Sequence, residues 1–311
     1  MSGLFYFGFV RILLLCSLLT LYACGEYDSH PMKVQLEMKS EYIDDRDVVV
    51  WLPGVYSEDN PLPVLYMHDG DMLFDSAQTW NGQTWGVDGH INRLVESGTI
   101  RPCIVVAIPN GGAKRHSEFF PRKAFDKLEP ELKDSLLNKV MRYDNKMFAT
   151  DIISDNYLKF LTKELKPVID TNFAVKGDRD NTFIMGSSMG GLISMYAICE
   201  YPEVFGAAAC LSTHWPVIYT NVNNPIAPAI KAYVQEKAPN PKTHRLYFDH
   251  GTATLDSLYP QHQVEITEIL KSAGYDSENL NVFSFEGANH SENAWSERLH
   301  IPLEFLLGRN R

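Results

Sequence analysis

A serine flanked by glycines two places before and two places after it, Gly186-Ser187-Ser188-Met189-Gly190, is the segment of this chain with the clearest capacity for chemistry. A serine hydroxyl is a weak nucleophile until a base takes its proton. The spacing is what a nucleophile needs on a sharp turn between a strand and a helix. There the hydroxyl is pushed outward, and the residues at −2 and +2 must be small because two backbones nearly touch. An apolar run, 182–185, precedes the motif and an apolar helical pattern, 189–201, follows it. Ser187 competes for the role, but only Ser188 has glycine at both offsets.

The base and the acid must come from elsewhere. For a serine on such a turn the chain order is serine, acid, histidine. Among the downstream histidines, His290 lies on a loop, 286–290, directly after the last strand-like run, whereas His300 falls inside a terminal helical pattern. His290 is therefore the expected base. The segment 249–256 offers two carboxylates, Asp249 and Asp256, with Glu265 farther on. Gly251 supplies a turn that would carry the later residues over the sheet edge, which favours Asp256, and Asp249 remains the alternative. The oxyanion formed on attack needs two backbone N–H groups. Met189, after the nucleophile, supplies one. Asp71, behind Gly70 in the loop 66–74, is the expected second donor. A different chemistry would use His68, Asp69 and Asp71 as ligands of a cation. Apart from that alternative, no cofactor and no metal is called for, and no Cys/His pair has zinc spacing.

Eight short β-rich runs occur at 33–39, 46–52, 64–67, 103–108, 182–185, 206–211, 245–248 and 281–285. The middle ones are apolar without alternation, as in strands covered on both faces. Helical patterns lie between them at 87–97, 154–170, 189–201, 225–237, 261–273 and 294–306. This alternation predicts a mostly parallel eight-stranded α/β sheet with helices on both faces. The charged stretch 122–150 breaks the rhythm and reads as a lid or as a surface insertion. Cys103, Cys199 and Cys210 are scattered and read as buried thiols, not as a disulfide framework.

Composition narrows the partners. With 45% hydrophobic residues and a net charge of −11 spread along the chain, this is a globular protein without the basic face that nucleic acid requires. Residues 4–23 are almost wholly apolar and end in Leu21-Tyr22-Ala23-Cys24. The run 12–21 has the length of a signal-peptide core. The small residue before Cys24 resembles the cleavage box of bacterial lipoproteins. That likeness implies a signal peptide over 1–23, a lipid on Cys24, a tether over 24–32, and a domain over 33–311 held at the cell envelope or periplasm. An uncleaved membrane anchor is the other reading.

Four segments, 65–70, 115–121, 186–191 and 287–290, resemble the esterase branch of the α/β-hydrolases that holds feruloyl and acetyl-xylan esterases, enterochelin-type esterases and S-formylglutathione hydrolase. The likeness spans residues 33–308. It implies the α/β-hydrolase fold and an acyl-transfer mechanism, and a Gly-Thr pair shortly before the acid again favours Asp256. It also matches Arg115 and Glu118 to a pair that either braces a loop or touches substrate. Trp80, Trp85, His214 and Trp215 lie in or beside loops expected around the nucleophile, and Trp85, His214 and Trp215 are taken as substrate-binding. The function expected is an exported serine esterase acting on feruloyl or acetyl esters of polysaccharide. A siderophore esterase, a cation-dependent hydrolase and a non-catalytic surface-binding module are the alternatives.

Overall fold

The computed structural model describes residues 30–139 and 146–309. Residues 1–23 and Cys24, where the signal and lipid expectations fall, lie outside that range.

Eight strands form one sheet: β1 (Met32–Met38), β2 (Arg46–Leu52), β3 (Val64–His68), β4 (Ile104–Ile108), β5 (Thr182–Ser187), β6 (Ala207–Leu211), β7 (Arg245–Gly251) and β8 (Leu280–Phe285). Their spatial order is β1-β2-β4-β3-β5-β6-β7-β8. The β1–β2 and β2–β4 pairs are antiparallel and every later pair is parallel. The sheet is thus the mostly parallel eight-stranded one that the sequence predicts, and the fold is the α/β-hydrolase fold.

Side chains alternate across each strand, so the sheet separates two cores. Val64, Tyr66, Val106, Ile184 and Phe248 enter the larger one, under the helices Ser154–Lys159, Met189–Glu200 and Ile226–Lys237. Leu65, Met67, Val105, Phe183, Met185 and Tyr247 enter the smaller one, under the helices Val87–Glu96, Glu292–Arg298 and His300–Leu307. The helix Met189–Glu200 is buried from Met189 to Cys199, which is why its sequence shows no polar stripe. The helical pattern expected over 294–306 is two helices that meet at Leu299. Cys103, Cys199 and Cys210 are buried and unpaired by disulfide.

The described part of the stretch 122–150 packs on the body of the domain. It forms the helices Arg122–Asp126 and Pro130–Leu137, and Phe125, Leu128, Leu136, Met147 and Phe148 are buried in the larger core. Lys123 and Lys127 tie it to Glu200 and Glu236. Apolar anchorage of this kind fixes a segment to the body, and none of its described residues borders the cleft that holds Ser188. Among the described residues no helix is long and apolar enough to cross a membrane.

Candidate active site

Ser188 sits between the end of β5 and the first turn of the following helix with φ 58° and ψ −122°. A residue bearing a Cβ adopts positive φ only where its surroundings dictate it. Here they do: the Ser188 N–H donates to the Leu211 carbonyl at 2.9 Å, and its own carbonyl accepts the His214 N–H at 3.1 Å. A Cβ on Gly186 would lie 2.7 Å from the Gly190 carbonyl carbon, closer than such contacts allow. Gly186 is therefore required by the close crossing of the Gly190 backbone, and a Cβ on Gly190 would instead crowd Asp69 at 3.2 Å and His68 at 3.4 Å.

Ser188 opens into a cleft of about 800 Å³ at the C-terminal ends of the strands. Met189, Asp71, His214, Tyr219 and His290 share its lining. A larger groove of about 1110 Å³ lies at the opposite end of the sheet, beside Arg179 and Arg245. That end holds none of the residues above, and in open parallel sheets the chemistry gathers at the carboxyl ends of strands. The smaller cleft is the candidate site.

His290 follows β8, and its Nδ1 lies 2.5 Å from Asp256 Oδ1. The His290 N–H donates to Thr254 Oγ1 at 2.9 Å, and the imidazole packs edge-on against Trp295 with centroids 4.9 Å apart. Two loops cross to bring the pair together. Thr252 and Ala253 both donate their N–H groups to the Ala288 carbonyl. A Cβ on Gly251 would meet that carbonyl oxygen at 2.1 Å, so Gly251 serves a close approach here, not a left-handed turn.

Asp256 is fully buried. Its Oδ2 accepts the Gly251 N–H and the Ser212 hydroxyl, each at 2.6 Å. Burial opposes its ionisation, yet the hydrogen bonds from His290, Ser212 and Gly251 hold its carboxyl below the usual carboxylate range. An ionised Asp256 accepts the hydrogen bond of His290 Nδ1–H, which keeps the proton on Nδ1 and leaves Nε2 with the lone pair that a general base needs.

Asp249 has a different fate. β7 continues to Gly251, two residues past Asp249, so Asp249 points to the same face as Tyr247. There it is buried, accepts the Tyr247 hydroxyl at 2.9 Å, and pairs with Arg298 at 3.0 Å. Burial raises its pKa, against the pull of Arg298. It does not contact His290. Glu265, on the helix Pro260–Ser272, pairs with Lys231 of the helix Ile226–Lys237.

The loop that carries Asp71 is clamped from two sides. Asp69 has φ 54°, and its carboxylate is gripped by Arg115 at 2.7 and 2.8 Å and by Asn110 at 2.7 Å. A Cβ on Gly70 would meet the β4 backbone at 2.7 Å. Arg115 and Glu118 are not partners of each other. Glu118 is buried against Arg46 at 2.6 Å and also accepts the Gly111 N–H. Arg115 braces the Asp69 loop while still bordering the cleft. The first N–H groups of a helix have no intrahelical acceptor, which leaves that of Met189 available for an oxyanion. His68, Asp69 and Asp71 do not converge as cation ligands. His68 Nδ1 is 2.8 Å from the Tyr157 hydroxyl, and the Asp69 oxygens are taken by Arg115 and Asn110. No group of three such ligands occurs among the described residues.

The expected substrate-binding residues divide. His214 lines the cleft, with its Nδ1 2.9 Å from the Tyr259 hydroxyl and its buried Nε2 without a protein partner. Burial, with His290 nearby, pushes its pKa down to about 3, so the ring is neutral. Trp85 borders the cleft from a buried position against Trp295. Trp215 corrects the expectation: it is 1% exposed, packs at a tilt against Phe248, donates to Gln263 Oε1 at 3.1 Å, and does not line the cleft. The sequence gives no signal for Tyr259, whose buried hydroxyl lies against Ser188 as well as His214. Trp80 and Tyr219 stand at the cleft with 85% and 61% of their surface exposed.

Comparisons with known proteins give the family and the fold. The family described as Putative esterase matches residues 40–303. The chain is 25% identical over 250 residues to an endo-1,4-beta-xylanase/feruloyl esterase of Xylanibacter ruminicola, covering 78% of this chain and 26% of that longer protein. A ferulic acid esterase of the anaerobic fungus Anaeromyces mucronatus superposes with a TM-score of 0.61 at 17% identity, over 90% of this chain and 95% of that one. An IroE-like serine hydrolase of Shewanella oneidensis does so with a TM-score of 0.62 at 18% identity, over 89% and 80%. The two structural likenesses establish the fold, and the family match establishes membership: the chain belongs to the putative-esterase family of the α/β-hydrolase superfamily.

Proposed function

We propose that this protein is a serine esterase that works through an acyl-enzyme. The observation that supports this most is a strained Ser188 sharing one cleft with a His290 that is locked onto buried Asp256. Ser188 Oγ attacks the ester carbonyl while His290 Nε2 takes its proton. The oxyanion collects at the Met189 and Asp71 N–H groups. His290 then returns the proton to the departing alcohol; a water that gives its proton to His290 attacks the acyl carbon, the Oγ–acyl bond breaks, and His290 returns that proton to Ser188 Oγ as the acid leaves. The neutral His214 ring lines the cleft, and the buried Tyr259 hydroxyl lies behind it against His214 and Ser188.

The substrate class proposed is a feruloyl or acetyl ester carried on polysaccharide. Trp80 and Tyr219 favour it, because exposed aromatic faces at a cleft suit sugar or phenolic rings. The feruloyl esterase relatives point the same way. Hydrolysis of acetylated xylan, methyl ferulate and a trilactone siderophore separates the candidates. Preference for the first two is expected, and preference for the trilactone would replace this reading with a siderophore esterase. Trp80→Ala should raise KM on feruloylated xylan by roughly two- to tenfold, the value of one aromatic contact, with little change on an aryl acetate. An unchanged KM on the polymer would remove Trp80 from substrate recognition.

We also propose that the protein is exported and anchored by lipid on Cys24, on the strength of the apolar run and the box Leu21–Cys24. Mass spectrometry of the native N-terminus should find a diacylated Cys24. An intact Met1, or an unmodified Cys24, would reject the anchor.

A further inference from the structure

We propose that Ser212 is a positioning residue for the esterase reaction, whose hydroxyl proton is forced onto Asp256 by Trp295 and Arg298. Ser212 lies one residue past β6, is fully buried, and has φ 41°. Its Oγ has three neighbours. Trp295 Nε1 is 2.9 Å away, Arg298 Nη2 is 3.1 Å away, and Asp256 Oδ2 is 2.6 Å away.

Donor and acceptor counting fixes the direction of these bonds. An indole N–H and a guanidinium can only donate. A serine hydroxyl has two lone pairs and one proton. Trp295 and Arg298 occupy both lone pairs, so the remaining proton has one place to go, Asp256 Oδ2. The Gly251 N–H donates to the same oxygen. With two donors on Oδ2, that oxygen has no room for a proton, and Oδ1 is left turned to His290 Nδ1. Ser212 thus fixes both the ionisation and the rotation of the acid, and through it the tautomer of His290. Burial excludes water that could offer the hydroxyl another acceptor. Arg298 is itself shared with Asp249 at 3.0 Å, so the network continues to the second aspartate without that residue touching histidine. The left-handed backbone at Ser212 is a conformation held only where its surroundings over-determine it, which fits a side chain with an assigned task.

The inference rests on Ser188, His290 and Asp256 forming the catalytic unit. Its test has a spectroscopic arm that needs no turnover. Glycine tolerates the backbone at φ 41°, so Ser212→Gly removes the hydroxyl without adding strain. Its kcat on an aryl ester should fall roughly 10- to 100-fold, the rate equivalent of one hydrogen bond to a charged group, while KM stays within about twofold. The downfield proton resonance of the His290–Asp256 hydrogen bond, identified by its absence in His290→Ala, should shift or vanish. Trp295→Phe keeps an aromatic ring beside His290 while removing the indole N–H and part of the ring, so it should move the same resonance and lower kcat less. It also serves if Ser212→Gly fails to fold. An unmoved resonance with kcat within about twofold of wild type, or a loss residing in KM alone, would overturn the role of Ser212. Wild-type rates in Ser188→Ala would instead refute the serine mechanism and leave the resonance arm standing.

Discussion

Ser188→Ala should lower the hydrolysis of short aryl esters by roughly five to six orders of magnitude, the scale seen when a serine hydrolase loses its nucleophile. The mechanism leaves no substitute, because the covalent bond to the acyl group forms at this oxygen alone. Ser187 is buried at the end of β5 and lacks the outward turn. The fold should survive. Alanine keeps the Cβ at φ 58°, the Gly186–Gly190 crossing is untouched, and the backbone bonds to Leu211 and His214 remain. The melting temperature should stay within roughly 3 °C of wild type, since no buried apolar contact is lost. Residual activity within about threefold of wild type would end the serine-hydrolase reading, including any acyl-enzyme. A folded wild-type protein inactive on every ester tried would favour a binding module.

The two aspartates should fail in opposite ways. Asp256→Asn keeps the shape of the side chain but can offer an amide to His290 Nδ1, so the wrong tautomer is stabilised and Nε2 no longer accepts a proton. A fall in kcat of about 10⁴-fold is expected, with little loss of stability. Asp249→Asn strands the buried Arg298 guanidinium that it neutralises. Breaking such a pair costs about 3–5 kcal/mol, or on the order of 10 °C in melting temperature for a domain of this size. The enzyme that remains folded should turn over within about tenfold of wild type, because Asp249 does not touch His290. Kinetics and thermal melts on the two variants decide the matter. A catalytic collapse in Asp249→Asn with a near-normal Asp256→Asn would transfer the acid role to Asp249.

Local spacing carried much of this molecule. The glycines at 186 and 190 were legible because a strand-to-helix turn puts them at fixed offsets from Ser188, and at Gly186 the demand is local, set by the backbone of Gly190. The apolar strand runs were legible because a sheet covered on both faces needs apolar residues at every position. His290 was legible because chain order places it after the last strand. The elements that could not be read share another property. Asp249 and Asp256 lie seven residues apart in one segment, and what separates them is the extent of β7. Because the strand runs on to Gly251, side-chain alternation sends Asp249 to the face where Arg298 waits, while Asp256 is released to reach the loop of His290. Trp215 and Trp80 are the same residue type near the same cleft, yet one meets Phe248 and Gln263 in the core and the other meets solvent. Arg115 and Glu118, three residues apart, find separate partners in Asp69 and Arg46. By itself the sequence determined where the backbone must turn and which positions must be apolar, since those demands act between neighbours in the chain. Which partner each polar side chain meets was decided only by the tertiary structure, because those partners are tens to more than a hundred residues away and are brought together by sheet order and loop crossing.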